Sequence, residues 1–99
     1  MILLSTRLRL APKARLRFDA RSGKHVLLYP ERGLELTDTA ARIAALCAEE
    51  RSAEEIVAAM VAATVDASRD RIEPEVLAFL RALEERGLLV IADETGGAP

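Results

Sequence analysis

At 99 residues the chain has room for one small hydrophobic core, and 51% hydrophobic against 30% charged residues marks a globular rather than a disordered chain. Fourteen basic against sixteen acidic side chains is too balanced for a protein built around nucleic acid, and a lone cysteine, Cys47, excludes an intramolecular disulfide. With only Phe18, Tyr29 and Phe79 as aromatics, the core falls to Leu, Val, Ile and Ala.

Met1-Ile2-Leu3-Leu4 is apolar, but Arg7 and Arg9 cut it short of a secretory signal. No run approaches the ~20 apolar residues of a membrane span, so the expectation is a cytoplasmic protein without membrane contact. Arg15-Leu16-Arg17-Phe18 alternates with the period of a half-buried strand. Asp19 to Gly23 reads as a turn, and His25 to Tyr29 as an apolar strand that closes a hairpin. After the Pro30-to-Gly33 turn, Leu34-Glu35-Leu36 is a short third strand, placed by the meander at a sheet edge.

The remainder reads as helix. Thr37 is an N-cap followed by Asp38, and Ala40, Ile43, Ala44 and Cys47 recur at helical spacing. Ser52-Ala53-Glu54-Glu55 fits a capping box before the stripe Ile56, Val57, Met60, Val61. Asp66 to Arg71 reads as a polar loop, with Pro74 in the first turn of a third helix. Val76, Phe79, Leu80 and Leu83 form that helix's buried face, and Gly87 ends it. Leu88 to Ile91 is an apolar run able to dock on the core. The fold class is therefore α+β and winged-helix-like, an N-terminal three-stranded antiparallel sheet on a three-helix bundle in the order βββααα. Residues 1–91 form one domain and residues 92–99 a flexible tail.

Charge is split along the chain: residues 1–32 carry +6 and the remainder −8. Such a split suits opposite faces of one fold or partner surfaces of opposite sign. His25 and Cys47 have no companions at metal-ligand or nucleophile spacing, and the adjacent glutamate pairs suit solvated helix faces. No cofactor, metal or catalytic residue is expected. Nucleic acid is the competing ligand, since short helices with a small sheet resemble a regulatory winged helix. In the third helix, however, Arg81 and Arg86 are opposed by Glu73, Glu75, Glu84 and Glu85. The other candidate is a peptide. An edge strand at Leu34 to Leu36 offers unpaired backbone groups, and Leu77 stands apolar on a charged helix flank. Leu77 reads either as peripheral core or as the floor of a groove beside that edge. An open edge is also a route to a homodimer.

The run Gly23-Lys24-His25-Val26-Leu27-Leu28-Tyr29-Pro30-Glu31-Arg32, preceded by Arg15-Leu16-Arg17-Phe18-Asp19, resembles the PqqD family of pyrroloquinoline quinone (PQQ) biosynthesis. The likeness continues through Leu34 to Ala41, Ser52 to Val57, Val76 to Leu80 and Arg86 to Leu89. It implies a non-catalytic peptide chaperone, a recognition element for ribosomally made modified peptides. Such a protein binds the precursor peptide PqqA as an added strand and presents it to PqqE, a radical S-adenosylmethionine enzyme. Carried onto this sequence, the resemblance implies peptide contacts at Leu34, Glu35 and Leu36 and along Ile72, Val76, Leu77, Leu80, Arg81 and Glu84. The basic front, with Arg15, Arg17 and Arg21, is a candidate docking face for the enzyme. The chain departs from the family pattern in having Thr37 where Asn is expected. It also has Ala48-Glu49-Glu50-Arg51 where an Asp-Gly turn is expected, which would let the first helix run on.

Overall fold

The computed structural model describes residues 2–30, 32–66 and 68–92. In chain order its elements are β1 (Arg7–Leu10), β2 (Arg15–Asp19), β3 (Lys24–Tyr29), β4 (Arg32–Leu36), α1 (Asp38–Leu46), β5 (Arg51–Ser52), α2 (Ala53–Ala63), α3 (Arg69–Glu85) and β6 (Leu89–Ala92). The alternating stretch, the apolar run and the short third strand form the antiparallel sheet β2-β3-β4. At the first turn the Asp19 carboxylate accepts from the Arg21 N–H at 3.0 Å and the Ser22 hydroxyl at 3.1 Å. Gly23 there takes φ +73°, a left-handed conformation that favours glycine. The third strand is longer than Leu34 to Leu36, because Arg32 pairs with Tyr29 and Gly33 with Leu28.

A second sheet, β5-β1-β6, corrects the βββααα expectation. Its strands are two to four residues long, too short to show a period, and they are joined by pairings far apart in sequence, such as Arg7 with Ser52 and Leu10 with Leu89. The apolar start of the chain belongs to this half of the molecule. Ile2 and Leu8 are fully buried. The Leu4 and Thr6 carbonyls accept from the Glu54 and Ala53 N–H groups at 2.9 Å each, partnering amides that the first turn of α2 leaves free. The run at Leu88 to Ile91 docks on the core as β6, the outer neighbour of β1. That strand includes Ala92, so the expected tail loses its first residue, and residues 93–99 lie outside the described residues.

Caps fix the helices where the sequence placed them. The Thr37 hydroxyl accepts from Ala40 N–H at 3.1 Å. Ser52 and Glu55 close a reciprocal capping box at 3.0 and 2.8 Å. Gly87, at φ +74°, ends α3 in a Schellman motif, with Leu88 N–H on the Leu83 carbonyl and Gly87 N–H on that of Glu84, both at 2.9 Å. Two expectations need correcting. The first helix does not run on: α1 ends at Leu46, whose carbonyl accepts from the Arg51 guanidinium, so a side chain supplies the stop that no glycine provides. The third helix starts at Arg69, well before Pro74, which leaves the proline inside it. Its missing N–H forgoes one bond, to the carbonyl of the exposed Asp70, where water is available instead. The polar reading of Asp66 to Arg71 as loop failed because Arg69 is held by Glu54 and Glu73, which lock the first turns of α3 against α2.

The sheet β2-β3-β4 rests on α1, while α2 and α3 pack on each other and α3 also on β6. Leu27, Ile43, Ile56, Val57, Val76, Leu80, Leu83 and Leu88 fill the space between, each almost completely buried. At roughly 1.5–3 kcal/mol per buried aliphatic side chain, this cluster dominates the stability of so small a domain. Cys47 is part of it: burial pushes its thiol up to about 12, partly offset by Arg51. Among the described residues no helix is long and apolar enough to cross a membrane.

Candidate functional site

The connection between Tyr29 and Arg32 has two residues, which makes this pair the closing hydrogen-bonded pair of the β3–β4 ladder. Bonded pairs alternate, so Leu34 and Leu36 spend their backbone groups on Leu27 and His25. Gly33 and Glu35 therefore turn their N–H and C=O groups away from β3, and β4 is the last strand of its sheet. Side chains follow the same alternation. Leu36 is buried and Leu34 half-buried on the helix side, while Glu35 is exposed on the other face, 3.5 Å from the Lys24 ammonium. Gly33 carries no side chain on that outer face because Val26 and Leu28 fold over it. A Cβ there would stand 3.3 Å from each of them.

A cleft of about 250 Å3 lies between α1, the end of α2 and the start of α3. Ile43, Met60, Ile72 and Val76 supply its apolar walls. Its rim carries Thr39 of α1, Arg71 and Glu75 of α3, and Thr64, Val65 and Asp66 of the intervening turn. Asp66 holds φ +60°, and Val65, 85% exposed, is the least covered large apolar side chain among the described residues.

The structure brings together only part of the set expected on α3. Ile72 and Val76 line the cleft although they are only 8% and 1% exposed, and Leu80, 0% exposed, lies in the core away from it. Leu77, Arg81 and Glu84 occupy the opposite flank of the helix from Arg71 and Glu75, at 100° of rotation per residue. That flank faces the other half of the molecule: the Arg81 guanidinium donates to the Ile2 carbonyl at 3.3 Å. Arg69, beside it, grips Glu54 with two nitrogens and Glu73 with a third. These bonds hold the Glu54 carboxyl below the usual carboxylate range and raise the Arg69 guanidinium above its own. Leu77 is half-buried against the core cluster, the peripheral-core alternative. Helical periodicity identifies a buried stripe but not which of its two borders faces α1, so it does not single out Thr39, Val65, Asp66, Arg71 and Glu75. The available signals were the i, i+4 pair Arg71 and Glu75 bracketing Ile72, and one valine in an otherwise polar turn.

Arg15 and Arg17 lie on the outer face of β2, opposite Leu28 and Val26, and Arg21 is in the adjoining turn. None of the three has an ion-pair partner among the described residues. The basic front is not wholly separate from the acidic back, since Arg7 binds Glu50 at 2.8 Å and Glu55 at 3.7 Å. His25 is half-buried with its ring 5.0 Å from that of Phe18. No group of three His, Cys, Asp or Glu side chains is placed to hold a metal among the described residues.

Comparison with known proteins bears on this arrangement of edge and cleft. The chain is 38% identical over 82 residues to a PqqA binding protein of Rhodopseudomonas palustris (strain BisB5), covering 83% of this chain and 79% of that protein. It is 37% identical over 81 residues to the bifunctional coenzyme PQQ synthesis protein C/D of Methylorubrum extorquens, covering 82% of this chain but only 22% of that longer protein. The solution structure of the PqqD part of Methylobacterium extorquens PqqCD superposes with a TM-score of 0.75 at 33% identity, over 91% of this chain and 95% of that one. That structure is described as a functional, stand-alone recognition element for ribosomally synthesised and post-translationally modified peptides. TbiB1, solved in complex with the TbiA(β) leader peptide, superposes at 0.69 with 28% identity, over 82% of this chain and 93% of that one. Residues 24–89, from the first residue of β3 to the first of β6, match the family of coenzyme PQQ synthesis protein D, and the chain belongs to that PqqD family.

Proposed function

We propose that this protein binds a precursor peptide of the PqqA kind by strand addition to β4 and holds it for a modifying enzyme, the radical S-adenosylmethionine enzyme PqqE, without chemistry of its own. The observation that carries this is the free edge of β4, with Gly33 and Glu35 turned outward; Thr39, three residues past its end, lines the cleft against α3. Backbone pairing tolerates many sequences, while the cleft walled by Ile72 and Val76 supplies a side-chain contact. The PqqA binding protein among its relatives and the leader peptide on TbiB1 support the same use of the fold. Contacts are assigned to Leu34, Glu35 and Leu36 through the strand edge and to Ile72 and Val76 through the cleft. A leader held in this way keeps the rest of the peptide tethered near the enzyme, raising its effective concentration. Arg15, Arg17 and Arg21, in no ion pair among the described residues, form the face assigned to the enzyme.

Titration with synthetic PqqA from the same source, followed by backbone amide NMR, tests the proposal. Saturable shifts at Gly33 to Leu36 and at Arg71 to Val76 are expected. Absence of any shift, with or without PqqE, overturns it. The same edge could instead pair two copies of the chain, in which case sedimentation would show a dimer that the peptide fails to dissociate.

A further inference from the structure

The sheet β2-β3-β4 has a second open edge, at β2. Since His25 and Leu27 spend their backbone groups on β4, Lys24, Val26 and Leu28 turn theirs to Asp19, Arg17 and Arg15. Leu16 and Phe18 lie between these pairs and turn their N–H and C=O groups outward. No other group hydrogen-bonds them among the described residues. Two clefts, of about 370 and 390 Å3, share Leu16 of β2 and Ala45 of α1, so room is left between this edge and the helix. The Phe18 side chain beside them is 58% exposed, its ring tilted against that of His25.

The two faces of the edge differ in chemistry. Arg15 and Arg17 are exposed on the outer face, in no ion pair among the described residues, while Leu16 and Phe18 point to the face that packs on α1. A strand added to β2 sets its side chains in the same alternation, with Cβ atoms ~4.5–5.5 Å from those opposite. The residues facing Arg15 and Arg17 are then two positions apart, and those on either side of the Arg17 position face Leu16 and Phe18. Opposite charges across such a pair stabilise it and like charges do the reverse. A second copy using the same outward groups would set Leu16 opposite Phe18 and Arg17 opposite its own counterpart, so the edge is built against self-pairing.

Resting on the proposal that Arg15 and Arg17 face the modifying enzyme, we infer that the enzyme docks by adding a strand to β2, an extended segment in which acidic and apolar residues alternate. Its carboxylates meet Arg15 and Arg17, and its apolar side chains lie on Leu16 and Phe18. With the leader on β4 the two partners extend one sheet from opposite sides, and neither uses a contact of the other.

The test uses a fluorescein-labelled nine-residue peptide with valine and glutamate alternating over its central five positions, and the same peptide with Gln or Lys for Glu. Affinity for the full chain is read by anisotropy and the site by backbone amide NMR. Shifts at Leu16 and Phe18, and none at Gly33 to Leu36, are expected. At low salt the Glu peptide should bind about three- to tenfold tighter than the Gln peptide, with Lys weakest, and the gap should close at 0.5 M salt. Phe18→Pro removes one outward donor and keeps the β2–β3 ladder, so it should weaken the Glu peptide about tenfold or more. Phe18→Ala keeps that N–H and should weaken it less. Saturating PqqA leader should leave the Glu peptide bound, and PqqE should displace it. Equal binding of the three peptides, or shifts confined to β4, overturns the inference and leaves the arginines as guards against self-pairing. Equal losses in the two Phe18 variants overturn strand pairing in favour of a ring contact, and failure of PqqE to displace the peptide overturns the enzyme as occupant. None of these results bears on β4, which the leader titration decides by itself.

Discussion

Proline at position 35 separates strand addition from any other mode of binding. Glu35 pairs with Val26 without exchanging hydrogen bonds, so its N–H points out of the sheet. Glu35→Pro removes that one donor and leaves the β3–β4 ladder complete, the position at which an edge strand tolerates proline. The fold loses little: the Lys24 contact, 3.5 Å between exposed side chains, is worth about 0–1 kcal/mol. A peptide strand loses more. Its carbonyl opposite residue 35 has no partner, which costs ~1–3 kcal/mol, and the ring obstructs close approach. Affinity for the PqqA leader, measured by anisotropy, should fall about tenfold or more while the melting curve by circular dichroism barely moves. Leu34→Pro is the contrast. Its N–H serves Leu27, so the bond is lost inside the sheet and stability falls by roughly 3 kcal/mol. A folded Glu35→Pro protein that binds the leader with unchanged affinity would refute pairing on β4 and turn attention to the other edge of that sheet, β2.

Three further outcomes follow from the same geometry. Arg81→Ala should leave peptide affinity unchanged, because its guanidinium serves the Ile2 carbonyl on the flank away from the cleft; a tenfold weakening would put the groove on that flank. Gly87→Ala should lower the free energy of unfolding, measured by urea titration, by about 1 kcal/mol, the cost of a left-handed L-residue, since at φ +74° its Cβ would meet nothing nearer than the Lys13 ammonium at 3.9 Å. The Cys47 thiol stays protonated in the fold up to about 12, so it should resist iodoacetamide at pH 8 until the chain unfolds. The unfolded thiol ionises at its ordinary value and the folded one does not. Its burial therefore draws stability down as pH rises from ~9 towards 12, and Cys47→Ala should flatten that part of the urea-midpoint profile.

What could be read from the sequence was what neighbouring residues decide among themselves. Thr37 and Ser52 cap because the amides they serve are three residues on, and Gly87 ends α3 because one residue must turn left-handed there. The alternation in β2 needs only its own period, and its partner strand follows after a short turn. Where the deciding partner is distant, the residues gave no sign of it. Arg7 to Leu10 is a strand because of residues 51–52 and 89–92. Arg69 is helical rather than loop because Glu54, 15 residues earlier, holds it.

The flank of α3 is the same problem at the site itself. Leu77 and Arg81 on one border and Arg71 and Glu75 on the other are equivalent as periodicity. Their roles diverge once β1, β5 and β6 form a second sheet and the apolar N-terminus runs through Ile2 to the start of α2. That packing places the Ile2 carbonyl against Arg81 and leaves the opposite border facing α1 and the turn at Asp66. The border of α3 that lines the cleft is thus the one opposite the N-terminal segment.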